Sequence, residues 1–179
     1  MLHRFDHQIY LAHNLIVYKI YPMTTQTTTP PKTDDWLQLD HQLCFALYST
    51  SLAMTKIYKP ILSELGLTYP QYLVMLVLWE HGELTISELG GRLTLDSGTL
   101  TPLLKRLESA GFVHRARDAE DERRVLVSLT DAGRSLRSAA EGIPEKLLCA
   151  MQCSVDEIQA LTARLHGLRS TLEEARSED

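Results

Sequence analysis

After residue 36 the hydrophobic positions fall into helical spacing almost everywhere, and strand-like runs are confined to one short region. The pattern predicts a first helix from about Leu39 to Lys59, after which Leu65-Gly66-Leu67 turns the chain. Thr68 offers an N-cap to a second helix, Tyr69 to His81, with Pro70 tolerated in its first turn. That helix is apolar on most faces (YLVMLVLW), which marks it as a buried spine. Thr85 and Glu88 have the spacing of a capping box, so a third helix starts there and stops near Gly90 and Gly91 or a few residues later. Asp96 caps a fourth, whose Leu100, Leu103, Leu104 and Leu107 share one face, with Gly111 as the stop. Phe112–Arg117 and Arg124–Leu129 read as two strands flanking DAEDE, a turn too charged to be buried. Thr130 caps a helix that carries Pro144, and Ser154 with Glu157 forms another capping box for a last helix ending near Arg176.

Helix, turn, helix and hairpin in that order describe a winged helix-turn-helix, a device that sets one helix into the DNA major groove. The predicted fold class is mostly α with a small β-hairpin wing, flanked by N- and C-terminal dimerisation helices. On the second helix of the motif, Ser97, Thr99 and Thr101 are small hydroxyls suited to phosphates and base edges, and Lys105 and Arg106 follow one turn later. An ordinary amphipathic helix would carry a similar polar face. The hairpin adds weight to the DNA reading, because Arg115, Arg117, Arg123 and Arg124 cluster around it and an arginine at a hairpin tip can enter a narrow minor groove. Asp121 stands two residues before Arg123 and can hold its guanidinium in a bidentate pair. Pro102 is anomalous: inside a helix it removes a hydrogen bond and should kink the recognition helix.

Charge adjusts this picture only a little. The 179 residues carry a formal net charge of −5. From Lys105 to Arg124 six basic residues meet five acidic ones, whereas from Thr130 to Asp179 six basic meet nine acidic, so positive charge is biased toward the predicted DNA face. No stretch is long and apolar enough to span a membrane, and the opening run LIVYKIY is broken by Lys19 and lacks a small-residue cleavage site. A cytoplasmic location follows as the expectation. His3, His7 and His13 lack the spacing of a closed metal site, so neither metal nor cofactor is expected. Thr24 to Asp35 is polar and rich in Thr and Pro, and Met23 offers an alternative start. Residues 1–35 are therefore expected to be a disordered or non-native extension. The winged-helix domain is placed at 36–179, with DNA binding at 68–130 and dimerisation through 36–67 and 131–176. Amphipathic helices at both ends of a DNA module suggest that the ends pack across a two-fold axis, presenting two recognition helices to a palindrome.

Without an export signal, Cys44, Cys149 and Cys153 are each either a small core residue or a redox group rather than a structural disulfide. Tyr48 is a helical neighbour of Cys44. Tyr58 lies on the same face but roughly 21 Å along the axis, so on a continuous helix it meets a thiol only on a partner whose first helix crosses antiparallel.

Several segments resemble the MarR family of winged-helix regulators, and more closely its organic-hydroperoxide-sensing branch. They are LCFALYSTS around Cys44, Tyr58, LTYPQYLVMLVLWE around Tyr69, LDSGTLTPLLKRLE in the recognition helix and DERRVLVSLT in the wing. The resemblance covers roughly Leu39 to Leu172. It implies a thiol switch in a homodimeric repressor of double-stranded operator DNA, with organic hydroperoxide as inducer. Cys44 would be the peroxidatic cysteine, and Tyr58 and Tyr69 of the partner subunit would hydrogen-bond its thiolate. Cys149 of the partner would resolve the sulfenic acid; only the resemblance selects Cys149 over Cys153. Three other readings stand beside it. A repressor released by a small aromatic ligand would use the cleft between the helices, and a thiol peroxidase would turn over peroxide at Cys44. A structural or interaction protein would show no sequence-specific DNA binding. The expectation is a regulator rather than an enzyme.

Overall fold

The computed structural model describes residues 37–177. The expectations for the N-terminal extension, including its three histidines and the alternative start at Met23, lie outside the described residues. Two compact units divide the chain, residues 1–46 and 47–179. The described part of the first holds a single 3-10 turn, Leu39–His41, and the opening residues of helix α1 (Leu43–Ser63). That helix begins four residues later than its pattern predicts and ends four later, running through Pro60.

The second unit contains everything needed to present DNA-reading elements. Helix α2 (Tyr69–His81) is the spine: Val74, Met75 and Leu78 are fully buried and Tyr72 nearly so. Its first turn is closed by Gln71, whose side-chain oxygen accepts from the Thr68 amide at 2.8 Å and hydroxyl at 2.9 Å. A two-residue strand β1 (Leu84–Thr85) follows, then α3 (Ile86–Leu93), α4 (Ser97–Ser109), β2 (Val113–Arg117) and β3 (Val125–Leu129). The strands form one antiparallel sheet in the order β1-β3-β2, with Leu84 opposite Val127 and Arg115 also opposite Val127 from the other side. Strand β1 was not expected. Two residues are too short to show a period, and their pairing with β3 depends on chain forty residues on.

Leu89, Leu100, Leu104, Leu107 and Val127 join the spine and Leu62 in one apolar cluster, so both helices of the motif and the wing root share a core. Leu103, expected on the same face, is only partly buried. Gly111 takes a left-handed conformation (φ 77°) and ends α4 as expected, with the Phe112 amide reaching back to the Leu107 carbonyl at 3.0 Å.

One helix differs from expectation. The segment after Thr130 is two helices, α5 (Asp131–Ala140) and α6 (Ile143–Met151), separated at Glu141-Gly142. Pro144 explains the break, because its ring cannot sit in a helix interior without losing a hydrogen bond but is free of that cost in a first turn. The Ser154–Glu157 box forms as predicted, and α7 (Val155–Ser177) runs to the end of the described chain without a single buried residue.

Candidate nucleic-acid interface and thiol site

The local chemistry of the helix-turn-helix is closed by side chains. The Thr85 hydroxyl accepts from the Glu88 amide at 3.2 Å while the Glu88 carboxylate accepts from the Thr85 amide at 2.8 Å, so the expected box is present. These bonds hold the Glu88 carboxyl below its usual range. The turn to α4 is tight. A Cβ at Gly90 would meet the Leu95 carbonyl oxygen at 2.8 Å, and Leu95 itself donates to the Gly90 carbonyl at 2.9 Å. Thr94 closes the turn with φ 56°, a conformation that costs a β-branched residue energy.

Asp96 caps α4, accepting from the Thr99 amide at 2.9 Å and hydroxyl at 2.8 Å. The Thr101 hydroxyl donates to the Ser97 carbonyl at 2.7 Å. Thr99 and Thr101 were expected to offer their hydroxyls to DNA; each has its proton committed within the helix and keeps only acceptor capacity. Ser97, Lys105 and Arg106 are exposed on the same helix. The helix runs through Pro102 from Ser97 to Ser109.

At the wing tip, the expected pair forms: Arg123 donates from Nε to Asp121 at 3.0 Å and from Nη2 at 3.1 Å. The guanidinium is otherwise bare, its side chain 91% exposed against 32% for Asp121. Their hydrogen bonds lower the Asp121 carboxyl and raise the already high Arg123. Arg124 reaches Asp118 at 3.6 Å, and the Arg124 amide donates to the Asp121 carbonyl at 2.8 Å, which rigidifies the tip.

Arg115 departs from the reading that grouped it with the DNA-facing arginines. Its Nε, Nη2 and main-chain amide all donate to the Glu108 carboxylate, at 2.9, 2.5 and 3.2 Å. The guanidinium thus ties β2 to the last turn of the recognition helix. Pairing at a separation of seven residues across a turn leaves no periodic trace in a sequence.

The three cysteines are free and exposed: Cys44 in the first turn of α1, Cys149 on α6, and Cys153 just beyond it with its thiol donating to the Met151 carbonyl at 3.3 Å. Tyr58 and Tyr69 are brought together, ring centroids 4.5 Å apart, with Tyr72 at 6.0 Å from Tyr58 and Trp79 at 6.2 Å from Tyr72. Burial, reinforced by the neighbouring phenols, pushes the Tyr58 hydroxyl up to about 12, and burial raises Tyr69 as well. Both are therefore neutral donors near pH 7. No hydrogen bond joins either hydroxyl to another described residue. Among the described residues no group of His, Cys, Asp or Glu could hold a metal ion, and no helix is long and apolar enough to cross a membrane.

Similarity to known proteins gives the family. A family described as transcriptional regulator SarA/Rot matches residues 56–139, the stretch from the end of α1 to the end of α5. The chain is 49% identical over 138 residues to the organic hydroperoxide resistance transcriptional regulator of Bacillus subtilis, covering 77% of this chain and 94% of that one. It belongs to the MarR family of winged helix-turn-helix regulators, in the branch of the organic hydroperoxide regulators. Within that family, AbfR of Staphylococcus epidermidis is similar in several solved states, including an overoxidised form bound to DNA with a TM-score of 0.64. Reduced AbfR bound to DNA shares 36% identity over 78% of this chain and 97% of that one, with a TM-score of 0.65. Disulfide-formed AbfR shares 36% identity over 79% and 94%, with a TM-score of 0.53.

Proposed function

We propose that this MarR-family chain is a redox-responsive transcriptional repressor. As a homodimer it binds double-stranded operator DNA while Cys44 is reduced, and it leaves the DNA when an organic hydroperoxide oxidises that thiol. The observation that carries the proposal is an exposed, unbonded thiol at the start of α1 in a chain half identical to an organic hydroperoxide resistance regulator. The better match to the reduced, DNA-bound relative than to the disulfide-formed one supports reading the described conformation as the DNA-competent state.

The chemistry has two steps. The Cys44 thiolate attacks the hydroperoxide, one oxygen transfers to sulfur, and the alcohol leaves after taking a proton, giving a sulfenic acid. The thiol of Cys149 from the partner subunit then attacks that sulfur, forming a disulfide and releasing water. Tyr58 and Tyr69 of the partner subunit hold the thiolate before oxidation; their hydroxyls are neutral and lack other partners among the described residues, as that role requires. On the DNA side, Ser97, Thr99, Thr101, Lys105 and Arg106 meet the major groove and Arg123, steadied by Asp121, enters the minor groove.

Residues 68–130 form the DNA-reading part, and 36–67 with 131–176 the dimer base. Helix α7 supports that division: Ile158, Leu161, Leu165, Leu168 and Leu172 alternate at spacings of three and four, a seam that a second helix would cover. Leu161 and Leu172 are about three-fifths exposed in the single chain, as are Leu43 and Tyr48 on α1.

A second reading has its own observation. A solvent-open cavity of about 470 Å³ is lined by Tyr72, Leu76, Trp79, Arg137 and Pro144 together with Glu80 and Glu141, a size that admits a small aromatic ligand. Fluorescence anisotropy of the protein–operator complex separates the two. Under the proposal cumene hydroperoxide releases wild type but not Cys44→Ser, and salicylate releases neither. Release of Cys44→Ser by the hydroperoxide would sink the thiol mechanism. Non-reducing electrophoresis assigns the resolving thiol, since the peroxide-induced dimer band should vanish in Cys149→Ser and persist in Cys153→Ser. Sustained consumption of many equivalents of peroxide per subunit in the presence of a reducing thiol, well above the rate with that thiol alone, would favour a peroxidase.

A further inference from the structure

Helix α4 is packed through Leu100, Leu104 and Leu107, all fully buried. At about 100° per residue, the position most nearly opposite that stripe is shared by Gly98, Pro102, Lys105 and Ser109, and Pro102 lies within about 20° of the line facing directly away. Pro102 is exposed there, mid-helix. This is an unfavourable residue for the place, because it removes the amide that would bond the Gly98 carbonyl four residues back and its ring crowds that same carbonyl. Glycine at 98 relieves the crowding by leaving the backbone free to adjust, and it leaves no side chain over the ring. A Cβ at Gly98 would also press on Asp96 Oδ1, at 2.9 Å, and disturb the cap.

The polar groups beside this face are largely committed. The Thr99 hydroxyl donates to Asp96, that of Thr101 to the Ser97 carbonyl and that of Ser109 to the Lys105 carbonyl. The recognition helix therefore turns an apolar ring outward where base-reading hydrogen bonds would be looked for. A proline ring has no donor and no charge, so a phosphate gains nothing from it. The major-groove floor presents one apolar feature, the C5-methyl group of thymine.

We propose that Pro102 is a specificity-determining residue that packs its ring against a thymine methyl in each half-site. The proposal rests on the DNA-binding function proposed above and goes beyond it by naming the base feature read. Lys105 and Arg106 then position the helix on phosphates, while Pro102 selects sequence.

The test starts from a duplex selected in vitro by the full-length reduced protein from a randomised pool. Each symmetric pair of thymines is replaced by deoxyuridine, which removes only the methyl group, and affinity is measured by anisotropy at fixed salt. Wild type should lose roughly fourfold per methyl at one symmetric pair, the scale of burying a single such group. Pro102→Gly and Pro102→Ser should bind thymine and deoxyuridine duplexes equally at that pair and keep the wild-type salt dependence. The proposal is overturned if no pair is sensitive in wild type, or if both variants remain as sensitive as wild type. It is also overturned if the variants lose salt dependence, because Pro102 would then be supporting phosphate contacts. Failure to enrich any sequence is a different result and removes the DNA-binding function itself.

Discussion

Replacing Gly133 by alanine sets two effects of opposite sign against each other. Gly133 is the third residue of α5, and in an exposed helix interior the change would stabilise by about 1 kcal/mol through helix propensity. Here a Cβ would overlap the Phe112 carbonyl oxygen, stand 3.0 Å from its carbon and lie 3.3 Å from Leu129 Cδ2. Helix α5 cannot simply move away. Thr130 pins its start to the wing root, its amide donating to the Phe112 carbonyl at 3.1 Å and its hydroxyl to Gly111 at 2.6 Å, while Trp79 Nε1 holds the Gly133 carbonyl at 2.9 Å. Relief of the overlap breaks about two of these bonds, at about 1 kcal/mol each, or strains the packing by about 1–3 kcal/mol. The steric loss outweighs propensity, and Gly133→Ala should destabilise by a net of about 1 kcal/mol. For a chain of this size that lowers the melting temperature by roughly 2–4 °C. Circular dichroism melts under reductant measure it, with Gly167→Ala as control: that glycine lies in exposed α7 with nothing near its Cβ position, so alanine should raise stability. If both variants melt above wild type, the packing of the wing root against α5 is not as described.

Three further outcomes follow from individual residues. Thr94→Gly should raise the urea midpoint, because glycine relieves a β-branched side chain held at φ 56° that costs on the order of 1–2 kcal/mol, partly offset by glycine's greater freedom when unfolded; a lower midpoint would show that the threonine side chain stabilises the turn. Arg123→Ala should weaken operator binding and flatten its salt dependence, since it removes an exposed guanidinium aimed outward by Asp121; unchanged affinity and slope in a gel-shift series would take the wing out of recognition. Tyr58 carries a pH signature. Its hydroxyl pKa is raised in the fold to about 12 from the ordinary value of 10, so the neutral form is favoured by folding, and the associated stability is complete below pH 10 and lost as pH rises toward 12. Tyr58→Phe should flatten that alkaline loss in denaturation measured from pH 9 to 12; an undiminished slope would assign the loss to other groups.

The parts of this fold legible in the sequence are those set by contacts within a few residues. Thr85 with Glu88, Asp96 with Thr99 and Ser154 with Glu157 each close a bond over three positions, and each lies where its spacing predicts. Gly111 ends its helix because only a left-handed residue continues the chain there. The pattern after Thr130 predicts one helix where the structure breaks at Gly142–Pro144, although the proline carries the signal: its cost vanishes only if a new helix starts just before it. The recruitment of Arg115 by Glu108 and the pairing of β1 with β3 were not legible, because each partner is chosen by the turn or fold that separates them in sequence.

Legibility at the candidate site divides along the same line. Asp121 and Arg123 are two residues apart, and their pair could be anticipated from spacing alone. Thr99 and Thr101 could not be ranked as DNA contacts from residue type, because a hydroxyl near a helix start is claimed first by the nearest unsatisfied backbone group or cap. The same competition makes the exposed Pro102 informative: it can neither cap nor back-bond, so its position cannot be explained by service to its own helix. The tyrosine hydroxyls extend the argument to the thiol site. In a single chain Tyr58 and Tyr69 stack on one another yet leave both hydroxyls without a partner among the described residues. Neutral hydroxyls that remain open to water are free to donate, and in the proposed dimer the partner's thiolate would be their acceptor. Such a contact would exist only in the assembly, which is why neither spacing nor a single chain's contacts could reveal it.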